Sequence, residues 1–299
     1  MPTPVTLENE FLRATVWPGM GGKVSSIVDR ADEFELLFQY DVPKPPVPQY
    51  DTSFERWWYA GWDECFPGVA AGPYPGGPWD GTRVPDHGEL YGLPTVSDAD
   101  ARSVATTWHG VRFPYRLKRT LALDGPALVA RYHLDNCAPF PFHFVWAMHS
   151  LSSLARPVQI DLPAGTPMRL SHDAAGNRID QQVRWPAGPG GLDLSRPDRL
   201  PPGRGWKLFT DEPAWDELDL RYADRGRRVH LGYASDSAVV PYWGIWINTG
   251  GWAGHRHFAV EPTTGRYDQL DRSVADGSAT TVGPMGTVNW TVKWEVAGL

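Results

Sequence analysis

Two strand-like runs carry side chains suited to proton transfer: RHFAVEP (256–262) contains Glu261, and PFHFVWAMHSL (141–151) contains His149. Successive side chains of a strand point to opposite faces, so parity alone sorts each run. His257, Ala259 and Glu261 share one face, against Phe258 and Val260 on the other. His143, Val145, Ala147 and His149 lie opposite a wholly apolar row of Phe142, Phe144, Trp146 and Met148. Each run therefore pairs a core face with a face that sets His or Glu beside small residues, which leave room for a ligand. A carboxylate and an imidazole lining one groove are the parts of general acid–base catalysis, because burial and mutual interaction move their pKa values towards neutrality. The plain alternative is a polar strand surface, on which a histidine such as His149 is simply hydrogen-bonded.

A third element, PDHGELYG (85–92), sets His87 between Asp86 and Glu89 in a turn flanked by glycine. Histidine beside carboxylates is a weak signal for a divalent ion, and no metal is expected from it. HExxH, GxSxG, P-loop, EF-hand and dinucleotide-binding patterns are all missing, so no cofactor is implied. Cys65 and Cys137 are too few for a disulfide framework or zinc cage and read as reduced, structural residues. With 28 Lys and Arg against 35 Asp and Glu, net charge −7, the chain has no basic run for a phosphate backbone, which argues against nucleic acid. The 15 tryptophans point elsewhere. An indole offers a broad apolar face and one N–H, a combination suited to stacking on the C–H face of a sugar ring, although large sandwiches also use Trp as core filler.

These residues must be positioned by strands. Short β-branched or aromatic runs bounded by Gly, Pro, Asp or Asn recur at 14–18, 23–29, 103–111, 115–123, 127–136, 142–150, 228–234, 243–248, 257–262 and 288–296. No segment sustains a helical apolar period. The pattern reads as all-β, a large antiparallel β-sandwich, with 1–299 as a single domain. Two loop-like regions interrupt it: 42–96, which holds ERWWYAGWDECFPG, and a Pro/Gly-rich excursion at about 161–205. No run approaches 18 apolar residues, and MPTPVTLENEF lacks the basic and apolar regions of a signal peptide, so no membrane partner and a cytoplasmic location are expected. A homodimer is compatible with the chain; nothing in the residues decides it.

The order GGKVSSIVD, GWDECFP, DHGELYG, WAMHSL, VEPTTGRYDQL and NWTVKWEV resembles the galactose mutarotase-like (aldose 1-epimerase) superfamily over nearly the whole chain. The resemblance implies a β-supersandwich whose concave sheet holds a free sugar. It implies that Glu261 takes the anomeric hydroxyl proton, that His149 protonates the ring oxygen, and that His87 hydrogen-bonds the substrate. No metal, nucleotide or covalent intermediate is then needed. Asp63, Trp62, Glu64, Lys23 and Trp246 complete the expected binding set. The chain departs from the galactose-type pattern in having GGKVSS and WAMHSL where an Asn-Arg pair and an NHSYF-like segment are common. Asp63 and Glu64, if directed inward, would repel a phosphate and favour a neutral hexose, while Lys23, Arg83 and Arg256 are the available cations. Two other functions remain open: a sugar sensor without catalysis, and a polysaccharide lyase or hydrolase, which usually carries a further domain.

Overall fold

A computed structural model of the chain describes residues 3–42, 49–172, 177–213, 217–235, 239–240 and 242–299. Parts of both expected loops, 43–48 and 173–176, lie outside the described residues. Among the described residues an 11-stranded antiparallel sheet runs Val5–Glu8, Leu12–Trp17, Lys23–Asp29, Trp62–Cys65, Ala147–Ser153, Arg256–Thr263, Tyr242–Thr249, Gly205–Thr210, Pro167–His172, Arg178–Arg184. The short strand Phe34–Glu35 pairs beside Lys23–Asp29. An 8-stranded sheet runs Gln159–Asp161, Glu217–Tyr222, Arg227–Ser235, Thr287–Gly298, Ala127–Asn136, Tyr115–Asp124, Ser103–His109, Val96–Ala99. The expected antiparallel β-sandwich is thus the observed architecture.

Alternation explains why the sheets close on each other. In Thr287–Gly298, Trp290, Val292, Trp294 and Val296 are buried, and the residues between them face outward. Trp146, immediately before Ala147–Ser153 of the larger sheet, packs edge-on to Trp290 at 5.2 Å, and Tyr132, the register partner of Trp290 on the neighbouring strand, stacks on it at 4.9 Å. Burying an aromatic or large aliphatic side chain contributes roughly 1.5–3 kcal/mol, so this core dominates the stability of the sandwich. Both cysteines are free, Cys65 buried and Cys137 exposed. No helix among the described residues is long and apolar enough to cross a membrane.

The run expected as one strand over 142–150 is two: Phe142–Phe144 and Ala147–Ser153. Between them, the Val145 amide donates to the Pro67 carbonyl and the Trp146 amide to Thr264 Oγ1, which takes both donors out of the ladder. The regions read as loops also contain strands. Trp62–Cys65 lies within 42–96, while Pro167–His172 and Arg178–Arg184 lie within 161–205. The register shift between Leu170 and His172 breaks the alternation that would have marked the second region.

Candidate active site

Strands in the middle of the larger sheet bring the acid–base residues together. The partners Ala147↔Thr263 and Leu151↔Ala259 bracket His149 and Glu261 on adjacent strands, and His149 Nε2 lies 3.7 Å from Glu261 Oε1. On its other side His149 is opposite Asp63. The loop that follows Trp62–Cys65 returns over this face and delivers His87, whose ring centroid is 5.2 Å from that of His149. His87 has φ 55° and Gly88 φ 76°; a Cβ at Gly88 would stand 2.1 Å from the Phe66 carbonyl oxygen, so only glycine permits this turn. Asp86 Oδ1 bonds His87 Nδ1 at 3.0 Å, and Phe54 stacks on the His87 ring at 3.8 Å, fixing the imidazole from two directions.

These groups border a cavity of about 810 Å³ lined by His87, His149, Lys207, Trp246, Trp252 and His257 among others. Lys207 was not anticipated from the sequence. Its Nζ donates to Glu261 Oε2 and lies 3.4 Å from Asp268 Oδ1. Gly244, opposite Glu261 in the ladder, makes this possible: a Cβ there would be 2.8 Å from Glu261 Oε2. Glu261 lies just beneath the cavity surface, 1% exposed, with Oε1 lacking a hydrogen-bond partner among the described residues.

The electrostatics follow from burial. Removal from water pushes the Glu261 carboxyl above the ordinary carboxylate range, partly offset by the Lys207 ammonium. Burial holds His149 well below the usual imidazole value, reinforced by His87 and Lys207, so its ring is neutral near pH 7. Burial also works against the Lys207 charge, but Asp268 and Glu261 outweigh it and raise its pKa. At Asp86 burial favours the neutral form, yet the His87 hydrogen bond and the Phe54 amide prevail and lower the pKa. The site is thus a carboxylate held by a fixed cation on one side and facing a neutral imidazole on the other.

Of the expected residues, His149, His87 and Trp246 line the cavity, and Glu261 sits beside His149 on the adjacent strand, 3.7 Å away. Lys23 and Asp63 lie on the same sheet face but are spent on each other: Lys23 Nζ is 2.5 Å from Asp63 Oδ2, and Trp57 Nε1 donates to Asp63 Oδ1 at 3.2 Å. Neither lines the cavity. Trp62 and Glu64 require correction as sugar contacts, because alternation along Trp62–Cys65 turns them into the core between the sheets. There Glu64 accepts from Arg119 Nη1 at 2.7 Å, Tyr132 at 2.8 Å and Trp146 Nε1 at 2.7 Å. Asp63 and Glu64 therefore do not act to repel a phosphate, as was expected of them, since each is neutralised by a buried cation. Glu89 is likewise turned away from His87, accepting from Tyr50, Tyr115 and the amides of Val111 and Arg112.

A two-sheet antiparallel sandwich with a cavity on the central strands of its larger sheet defines the structural class. Solved structures place it further, as the galactose mutarotase-like fold. A galactose mutarotase-like protein from Lactobacillus casei is 17% identical, with 99% of this chain and 100% of that one covered, at a TM-score of 0.72. One from Clostridium acetobutylicum is 14% identical, covering 100% and 96%, at 0.73. A galactose mutarotase related enzyme from Lactobacillus acidophilus is 13% identical, covering 99% and 98%, at 0.69. No protein-family model and no curated protein matches the sequence.

Proposed function

We propose that the chain is an aldose 1-epimerase, interconverting the α and β anomers of an aldose by opening and reclosing its cyclic hemiacetal. The observation that carries this reading is the buried Glu261 carboxylate, with one oxygen held by Lys207 and the other without a hydrogen-bond partner among the described residues, 3.7 Å from a neutral His149 that lines the cavity. Ring opening needs a base at O1 and an acid at O5, on either side of the C1–O5 bond. Glu261 Oε1 takes the O1 proton while the neutral His149 donates an N–H hydrogen bond to O5; the C1–O5 electrons move to O5, which takes up the proton from the Glu261 carboxyl, and C1 becomes the aldehyde. After rotation about C1–C2, the same steps in reverse close the other anomer, so atoms and protons balance. His87 hydrogen-bonds the sugar, and Trp246 offers an apolar face to its ring.

A sensor on this scaffold would use the aromatic cavity equally well but gives no role to a carboxylate clamped by lysine against an imidazole. Exchange NMR on freshly dissolved aldoses separates the two. Wild type accelerates anomer exchange, and Glu261→Gln lowers the rate by at least ~100-fold, as expected for a positioned base. Exchange of every tested aldose at its spontaneous rate would sink the enzymatic reading.

A further inference from the structure

The cavity extends well past the acid–base centre. His257 precedes Glu261 by four residues on the same face of Arg256–Thr263, which at ~3.3 Å per residue separates them by about 13 Å. Both His149 and His257 line the cavity, so it spans that length.

At the far end His257 is fully buried, and its tautomer follows from Asn248. Asn248 Oδ1 accepts from the amides of Gly250 and Trp252 at 3.2 and 3.0 Å, so Nδ2 is the donor, to the Trp252 carbonyl at 2.9 Å and to His257 Nε2 at 3.2 Å. His257 Nε2 is therefore the acceptor, which leaves the proton on Nδ1. That N–H has no partner among the described residues. A buried donor without an acceptor is costly to maintain, and a ligand oxygen in the cavity would satisfy it.

The surroundings suit a ring with hydroxyls. Trp252 stands edge-on to His257, centroids 5.9 Å apart, and its Nε1 donates to Glu55 at 3.1 Å. Trp246, Arg204, Glu55, Gly203, Gly205 and Gly251 line the same cavity. Indole faces, a fixed N–H donor, a guanidinium and a carboxylate together make a sugar-recognition set.

We propose that this end is a second sugar subsite, so that the substrate is an aldose at the reducing end of a di- or oligosaccharide. The anomeric ring occupies the Glu261–His149 centre, and its neighbour packs against Trp252 and hydrogen-bonds His257 Nδ1. The orientation rests on the epimerase reading; the presence of the subsite does not.

Calorimetric titration of the full chain with glucose, maltose, cellobiose and lactose reads the subsite without turnover. At least one disaccharide binds ~10-fold or more tightly than glucose. Trp252→Ala, at a half-buried position, cuts that preference to below about 3-fold. His257→Phe keeps an aromatic ring, removes the donor and has the same effect, with circular dichroism verifying the fold. Affinity for all three disaccharides no better than for glucose, or a preference that survives both substitutions, overturns the subsite. Anomer exchange measured on the same samples keeps the claims apart. Disaccharide preference with exchange only at the spontaneous rate retains the subsite and rejects the epimerase, whereas accelerated exchange without any preference in affinity does the reverse.

Discussion

In the proposed mechanism, Lys207 is the residue that makes Glu261 a defined base. Burial raises the Glu261 pKa and the Lys207 ammonium lowers it, so without that cation the carboxyl would hold its proton to higher pH. The base works only when ionised, so the acid limb of the rate profile follows the Glu261 pKa. Lys207→Met removes a lowering influence, and the limb moves to higher pH by at least ~1 unit; Lys207→Arg, which keeps the charge, leaves it close to wild type. Rates of anomer exchange across pH 4–9 measure this. His149, already neutral, adds no falling limb near the ordinary histidine value. Glu261 and His149 were legible because each sits among small residues on a strand whose other face is apolar. Lys207 was not, though WKLF carries a trace: a lone charge alternating with the buried Trp206 and Leu208. Trp62 and Glu64 were misread for want of the same parity argument, which separates both from Asp63 in WDEC.

At the level of strands, the link between the sheets is polar as well as apolar. Arg119, on Tyr115–Asp124, is fully buried and reaches across to Glu64 on Trp62–Cys65. Such a pair adds little over well-packed apolar residues, but removing one partner strands the other charge. Glu64→Ala is accordingly expected to cost about 3–5 kcal/mol, read from the urea midpoint at unchanged slope. The long outer strands announce themselves by simple alternation, as in NWTVKWEV. Strands of the cavity sheet are harder to see: Trp62–Cys65 is buried at every position, and Pro167–His172 changes register midway, so neither keeps a period of two. Tertiary contacts set those elements, the amides of 145 and 146 being the plainest case.

For the molecule as a whole, the buried histidines set a limit in acid. Burial pushes His257 down to about 3 and His149 well below its usual value, whereas in the unfolded chain both titrate near ~6.5. The unfolded state then binds more protons below that pH, so stability falls as pH drops, by about 1.4 kcal/mol per pH unit for each histidine. Glu261 acts with the opposite sign, because its raised pKa lets the folded state take up a proton first. Two histidines outweigh one carboxylate, and urea midpoints between pH 7 and 5 should decline, less steeply in His257→Gln. The sequence could place the histidines on a face but carried no measure of how dry that face would be. The strands bearing His149 and Glu261 occupy the fifth and sixth places of a ten-strand path, with four strands on either flank. Fraying from either edge must therefore unzip four neighbours before reaching them, so their amides should exchange with deuterium more slowly than those of the outer strands, and the proton-transfer geometry persists while the periphery breathes.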